Sequence, residues 1–69
     1  MIRAKYYAAS DDLDLLAWLA RRSGEPDTIE GARLVCGSYG VVAEVRDDDG
    51  ALLGYIGPGG YWWPTRGSE

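Results

Sequence analysis

The stretch from Tyr39 to Trp63, YGVVAEVRDDDGALLGYIGPGGYWW, constrains the chain more than any other. It holds two turn signals between alternating segments. Asp49-Gly50 closes an acidic run at Asp47, Asp48 and Asp49, and Asp-Gly is a strong short hairpin signal. Gly57-Pro58-Gly59-Gly60 is a second, equally strong loop signal. Three short strands in a meander follow from this punctuation. Strand residues alternate between faces, so turn length decides which side chains meet. With turns of two or four residues, Val41, Ala43 and Val45 share a face with Leu52, Gly54 and Ile56, and with Tyr61 and Trp63. Gly54 then lies opposite Trp63, and its missing side chain makes room for the indole. Val42, Glu44, Arg46, Leu53, Tyr55 and Trp62 occupy the other face.

Upstream, Ile2, Ala4, Tyr6 and Ala8 alternate with Arg3, Lys5, Tyr7 and Ala9, the pattern of a half-buried strand with a basic, aromatic outer side. Ser10 suits a helix N-cap, and Asp11, Asp12 and Asp14 suit the positive end of the helix dipole. The predicted helix runs to Arg22, with Leu13, Leu16, Ala17, Leu19 and Ala20 on one apolar arc. Trp18 falls off this arc, either covering the helix edge or standing exposed. Gly24 and Pro26 end the helix. Ile29 to Cys36 reads as a second strand. A turn at Gly37-Ser38 then pairs Ala32 with Ala43 and Leu34 with Val41 on the core face, and puts Arg33 beside Val42 outside. The expected fold is one α+β domain over residues 1–66 with a tail at 67–69. Its order is β-α-β-β-β-β, with one helix on one face of a largely antiparallel sheet of four to five strands. The opposite face is left uncovered.

Composition removes several function classes. The chain has 69 residues, no histidine and one cysteine. An internal disulfide is impossible, and a zinc site of the usual Cys/His kind is excluded. Three Trp and five Tyr must supply the packing of a very small core. No apolar run is long enough to span a bilayer, and the opening MIRAKYYAAS lacks the apolar centre of a secretory signal. With a lone Cys36, the simplest expected location is the cytoplasm. The net charge of −4 suits a basic partner better than nucleic acid.

Each candidate site has a plain structural reading beside it. Asp47-Asp48-Asp49-Gly50 lacks the further spaced ligands of a calcium loop, so it reads as a solvated turn or an acidic knob. Asp11, Asp12 and Asp14 complement a helix dipole, and could also present charge as a phosphate mimic. The strand directions put these clusters at opposite ends of the sheet, ~20 Å apart, so they are not one metal site. The 57–60 glycines join two strands and lack the helix and Lys-Ser/Thr pair of a phosphate loop. Cys36 has no histidine to activate it. Trp62 beside Tyr55 and Leu53 forms an exposed apolar patch, unless the C-terminal tail covers it.

No constellation reads as catalytic, and no cofactor or metal is expected. The expected function is contact. Asp11, Asp12, Asp14, Asp47, Asp48 and Asp49 would engage basic residues of a protein partner, with Tyr55 and Trp62 as apolar anchors. Two alternatives remain. The sheet face could bind nucleic acid through Arg3, Lys5, Arg33 and Arg46 with Tyr7, Tyr55 and Trp62. It could also pair two copies into a homodimer.

The helix from Ser10 to Arg22, then Gly40-Val41-Val42-Ala43-Glu44-Val45-Arg46, Asp49-Gly50 and Tyr61-Trp62-Trp63, resembles in element order some small phage-borne anti-CRISPR proteins that inhibit type I effector complexes. The resemblance implies a non-enzymatic inhibitor in the host cytoplasm. It would bind a CRISPR effector subunit and block its encounter with target DNA. Many such inhibitors are acidic and sit in DNA-binding grooves. This chain departs from a plain DNA mimic, because its basic residues gather on one sheet face.

Overall fold

The computed structural model describes residues 1–65. The elements are β1 (Ile2–Tyr7), α1 (Leu13–Arg22), β2 (Pro26–Asp27), α2 (Ile29–Tyr39), β3 (Val42–Arg46), β4 (Leu52–Ile56) and β5 (Trp62–Pro64). The five strands form one sheet in the order β2-β1-β3-β4-β5, antiparallel throughout. The α+β class is as expected. The boundary at residue 66 and the tail at 67–69 lie outside the described residues. No helix among the described residues is long and apolar enough to cross a membrane.

The segment expected as a second strand is a second helix, α2. Ile29, Ala32, Val35, Cys36 and Tyr39 recur at intervals of three and four, the period of a helix face. Both ends are capped. The Thr28 side chain accepts the Gly31 N–H, and Gly40, at φ 66°, closes the helix in the left-handed region and donates its N–H to the Cys36 carbonyl. Ala32, Val35 and Cys36 are buried, while Arg33 and Leu34 point away from the core. The expected pairings of Ala32 with Ala43 and Leu34 with Val41 therefore do not form. The break that matters lies at Gly40, not at Gly37-Ser38.

Helix α1 differs in its ends and in its buried side. Asp12, not Ser10, is the N-cap; its carboxylate accepts the N–H groups of Asp14 and Leu15. The Ser10 hydroxyl instead accepts the Asp12 N–H. Leu19 is buried, with Leu15 and Trp18 packed beside the core, whereas Leu13 is 78% exposed and Ala17 and Ala20 face solvent. The indole of Trp18 packs on the Tyr39 ring at 5.0 Å between centroids, so it joins α1 to α2. At the C-terminal end, the Ser23 hydroxyl donates to the Leu19 carbonyl and accepts the Tyr6 N–H, and the Gly24 N–H donates to the Ala4 carbonyl. These bonds cover the edge of β1 beyond the two-residue β2.

Both hairpins turn on three residues, not two or four. In the first, Asp47 N–H meets the Ala51 carbonyl and Gly50 sits at φ 89°; in the second, Gly57 N–H meets the Tyr61 carbonyl and Gly60 sits at φ 85°. A glycine in the left-handed region is what such a turn requires. In the first hairpin, a register shift between Val45 and Arg46 restores the expected parity, so Val45 faces Gly54 and Ala43 faces Ile56. The second has no such correction: Ile56 pairs with Trp62, and Tyr55 with Trp63. The two indoles therefore exchange their expected sides. Trp62 packs against the core, and Trp63 points out.

Gly54 makes room for an indole as anticipated, but for Trp62. A Cβ at Gly54 would lie 2.5 Å from the Trp63 carbonyl oxygen, 2.8 Å from Pro64 Cα and 2.9 Å from the Trp62 ring. Two of these neighbours are backbone and cannot yield without moving β5. Gly54→Ala is expected to destabilise the fold by about 1–3 kcal/mol, the usual cost of overpacking. Urea unfolding followed by tryptophan fluorescence would test this; a loss below about 0.5 kcal/mol would show that β5 is not held by this contact.

Candidate functional site

Among the described residues, the ten buried apolar side chains form one cluster that includes Ala4, Tyr6, Ala43, Val45 and Ile56 from the sheet and Leu19, Ala32, Val35 and Cys36 from the helices. Both helices thus lie on one side. Strand alternation sends the intervening residues to the other side. β1 contributes Arg3, Lys5 and Tyr7; β3 contributes Val42, Glu44 and Arg46; β4 contributes Tyr55, and β5 contributes Trp63. No described residue covers them. Trp63 is 69% exposed, Tyr7 48% and Tyr55 43%.

The ladder registers arrange these side chains in rows across the sheet. The middle row pairs Lys5 with Glu44, Glu44 with Tyr55, and Tyr55 with Trp63. It reads cation, carboxylate, phenol, indole. Tyr7 pairs with Val42 at one end of the face, and Arg3 with Arg46 at the other. Among the described residues, the face carries three basic side chains, Arg3, Lys5 and Arg46, but only one acidic one, Glu44. Arg46 is held in place: Nε donates to Glu44 Oε1 at 2.9 Å and a terminal nitrogen donates to the Gly50 carbonyl at 2.8 Å. Arg3 donates to the Gly24 carbonyl at 2.7 Å, and Lys5 Nζ lies 5.6 Å from the centre of the Tyr7 ring. The flanks of the sheet are poor docking edges, because β2 has two residues and β5 has three and ends in Pro64.

The expected site residues divide accordingly. Arg3, Lys5, Tyr7, Arg46 and Tyr55 come together on the open face. Trp62 does not; it is half-buried against the core, and Trp63 stands beside Tyr55 in its stead. Leu53, at the bulge, also packs on the core. Arg33 lies on α2, where its Nε donates to the Gly60 carbonyl at 2.6 Å and ties the helix to the second turn. Trp63 was the residue missed, and the signal was available: Gly-Pro-Gly-Gly supplies a glycine for the left-handed position of a three-residue turn, which shifts the parity of all that follows.

The acidic residues do not converge. Asp47–Asp49 follow β3 at the end of the sheet that carries Ile2, and Asp11–Asp14 follow β1 at the opposite end. Two already serve the backbone. Asp12 caps α1, and Asp47 Oδ1 accepts the N–H groups of Asp49 and Ala51, both at 2.9 Å. Asp48 lies 3.4 Å from the N-terminal amine. Among the described residues, no group of three or more His, Cys, Asp or Glu could hold a metal ion. A groove of about 420 Å³ runs between α2 and the 57–60 turn, lined by Glu30, Arg33, Leu34, Gly37 and Gly60 among others, but it is open and its one cation is engaged by Gly60.

Cys36 is fully buried, and burial pushes its thiol up to about 11. A thiol that holds its proton is a poor nucleophile. Its titration also couples to folding. Unfolded, the thiol ionises near its ordinary value, about 8.5–9; folded, it stays neutral until about 11. Stability from this group is thus intact below pH 9 and lost as pH rises through 11, by about 2–3 kcal/mol in all. Urea unfolding at pH 8 and pH 10.5 is expected to show this decline in the native chain and less of it in Cys36→Ala. Equal slopes would exclude the thiol as its source.

No family model matches the chain, and neither a curated protein nor a solved structure matches it significantly.

Proposed function

We propose that this chain is a non-enzymatic binding protein that occupies a surface on a protein partner, with Trp63 and Tyr55 as its anchors. The exposure of a cross-strand Trp–Tyr pair on an uncovered sheet face carries this reading. Aromatic side chains dominate binding energy at interfaces, and a large indole in water costs free energy unless a partner removes it. Glu44 in the middle of the face, already paired with Arg46, weakens the case for nucleic acid, whose phosphates it would repel. Asp11, Asp14 and Asp49 make no side-chain hydrogen bond among the described residues, and they stand beyond the two ends of the sheet, where charge guides approach more than it adds affinity.

The resemblance to small anti-CRISPR proteins extends this reading to one partner class. There the partner is a subunit of a type I effector complex, and the bound chain blocks the surface that takes target DNA. The chain would act as a regulator or inhibitor in the cytoplasm of the host cell.

A target-DNA binding assay with purified type I effector complexes, with and without the chain, tests the partner. Trp63→Ala tests the face. The expected loss of partner affinity is about 30-fold, the equivalent of the ~2 kcal/mol of an interface anchor, with thermal unfolding unchanged because the side chain is exposed. Asp49→Lys is expected to shift affinity less than about 5-fold. If effector binding is absent, that partner is wrong. If a partner is bound and Trp63→Ala leaves its affinity intact, the sheet face is not the site.

A further inference from the structure

The open face is divided into unlike halves, and that division makes it complementary to itself. On β1 and β3 it carries Arg3, Lys5, Glu44 and Arg46, with Tyr7 and Val42 at one end; on β4 and β5 it carries Tyr55 and Trp63 and no charged side chain. Laying like half on like half would bring cations together. A two-fold axis parallel to the strands, between β3 and β4, avoids this. It lays β1 on the second copy's β5, and β3 on the second copy's β4, without changing the height along the strand. The middle row then reads against itself in reverse.

We propose that, in the absence of another partner, a second copy of this chain closes the sheet face across this axis. Lys5 then lies over the indole of the second copy's Trp63, and the Glu44 carboxylate meets the hydroxyl of the second copy's Tyr55. An ammonium over an indole is an attractive cation–π contact. A phenol donating to a carboxylate is a charge-assisted hydrogen bond. Each contact is made twice. The inference rests on the same face as the binding function above, but on no other protein.

The size of the face sets the strength. Four strands ~4.8 Å apart, of six, five, five and three residues, offer roughly 250–300 Å² of flat area per copy. Side-chain relief raises the total buried to about 800–1,000 Å², below the range of stable specific interfaces. Self-association should therefore be weak, with a dissociation constant of roughly 10 μM to 1 mM, and a tighter partner would displace it.

Sedimentation equilibrium from 5 μM to 1 mM tests the proposal. The mass is expected to rise from the monomer's 7.5 kDa toward twice that value. Trp63→Lys brings two cations together and is expected to weaken association at least 10-fold. The double variant Lys5→Glu with Trp63→Lys restores an attractive pair and should recover most of that loss. Arg21→Glu, on the exposed side of α1, should change nothing. Circular dichroism confirms that each variant is folded. A monomer at every concentration overturns the proposal, as does a dimer that ignores Trp63→Lys or is not rescued by the double variant. Quenching of tryptophan fluorescence by an oligo-dT 15-mer, with no self-association, would assign the face to nucleic acid. A monomeric result leaves the protein-binding function standing, because Trp63→Ala reads partner affinity independently.

Discussion

The missing side chain at Gly54 decides the character of the whole sheet. The β5 backbone approaches β4 so closely there that no Cβ fits, and the Trp62 ring takes the vacated space. One indole is thereby drawn toward the core of a chain that has few other large groups to put there. Strand alternation then leaves its neighbour no choice. Trp63 must project from the opposite face, beside Tyr55. Core packing and the exposed aromatic pair are two consequences of one contact.

That contact depends on a turn, and the turn depends on α2. The second hairpin presses its glycines against the helix: Gly59 lies against Gly37, and a Cβ at Gly60 would come within 3.0 Å of the Arg33 carbonyl oxygen. Arg33 closes the arrangement by donating to the Gly60 carbonyl. Glycine serves two ends here, a left-handed backbone and a close approach of helix to loop. A turn of even length would put Trp63 inside. The helix that fills the core thus also holds the register of the last strand.

Much of this was legible in the sequence, and the failures share a cause. The first strand, the first helix, the two hairpins and the bare face all follow from period and punctuation. Glycine at position 54 was readable as space for an indole. The misreadings came where two periods compete over a short segment. Ile29 to Cys36 alternates loosely, and its β-branched residues favour a strand, but the helical spacing from Ile29 to Tyr39 and the caps at Thr28 and Gly40 prevail. In α1, alanines at 17 and 20 drew the apolar arc to the wrong side, because small residues are nearly indifferent to burial whereas Leu15 and Trp18 are not. The indoles were exchanged because one residue of turn length inverts a face. Gly60 marks the left-handed position of a three-residue turn, but Gly57 and Gly59 could take that position as readily, so composition alone does not fix the length.

The same economy explains why the acidic residues are weak candidates for recognition despite their number. A chain this short buries little apolar surface, so its helix ends and turns must be satisfied locally. Asp12 and Asp47 do that work, each accepting two backbone N–H groups. A carboxylate committed to the backbone cannot also reach freely for a partner's lysine, and its removal would be felt first as lost stability. The sheet face is under no such obligation. Lys5, Tyr55 and Trp63 hold up no turn and fill no core, so the fold leaves their geometry constant and their chemistry unspent. That freedom is why the proposed contact is assigned to this face rather than to Asp12 or Asp47.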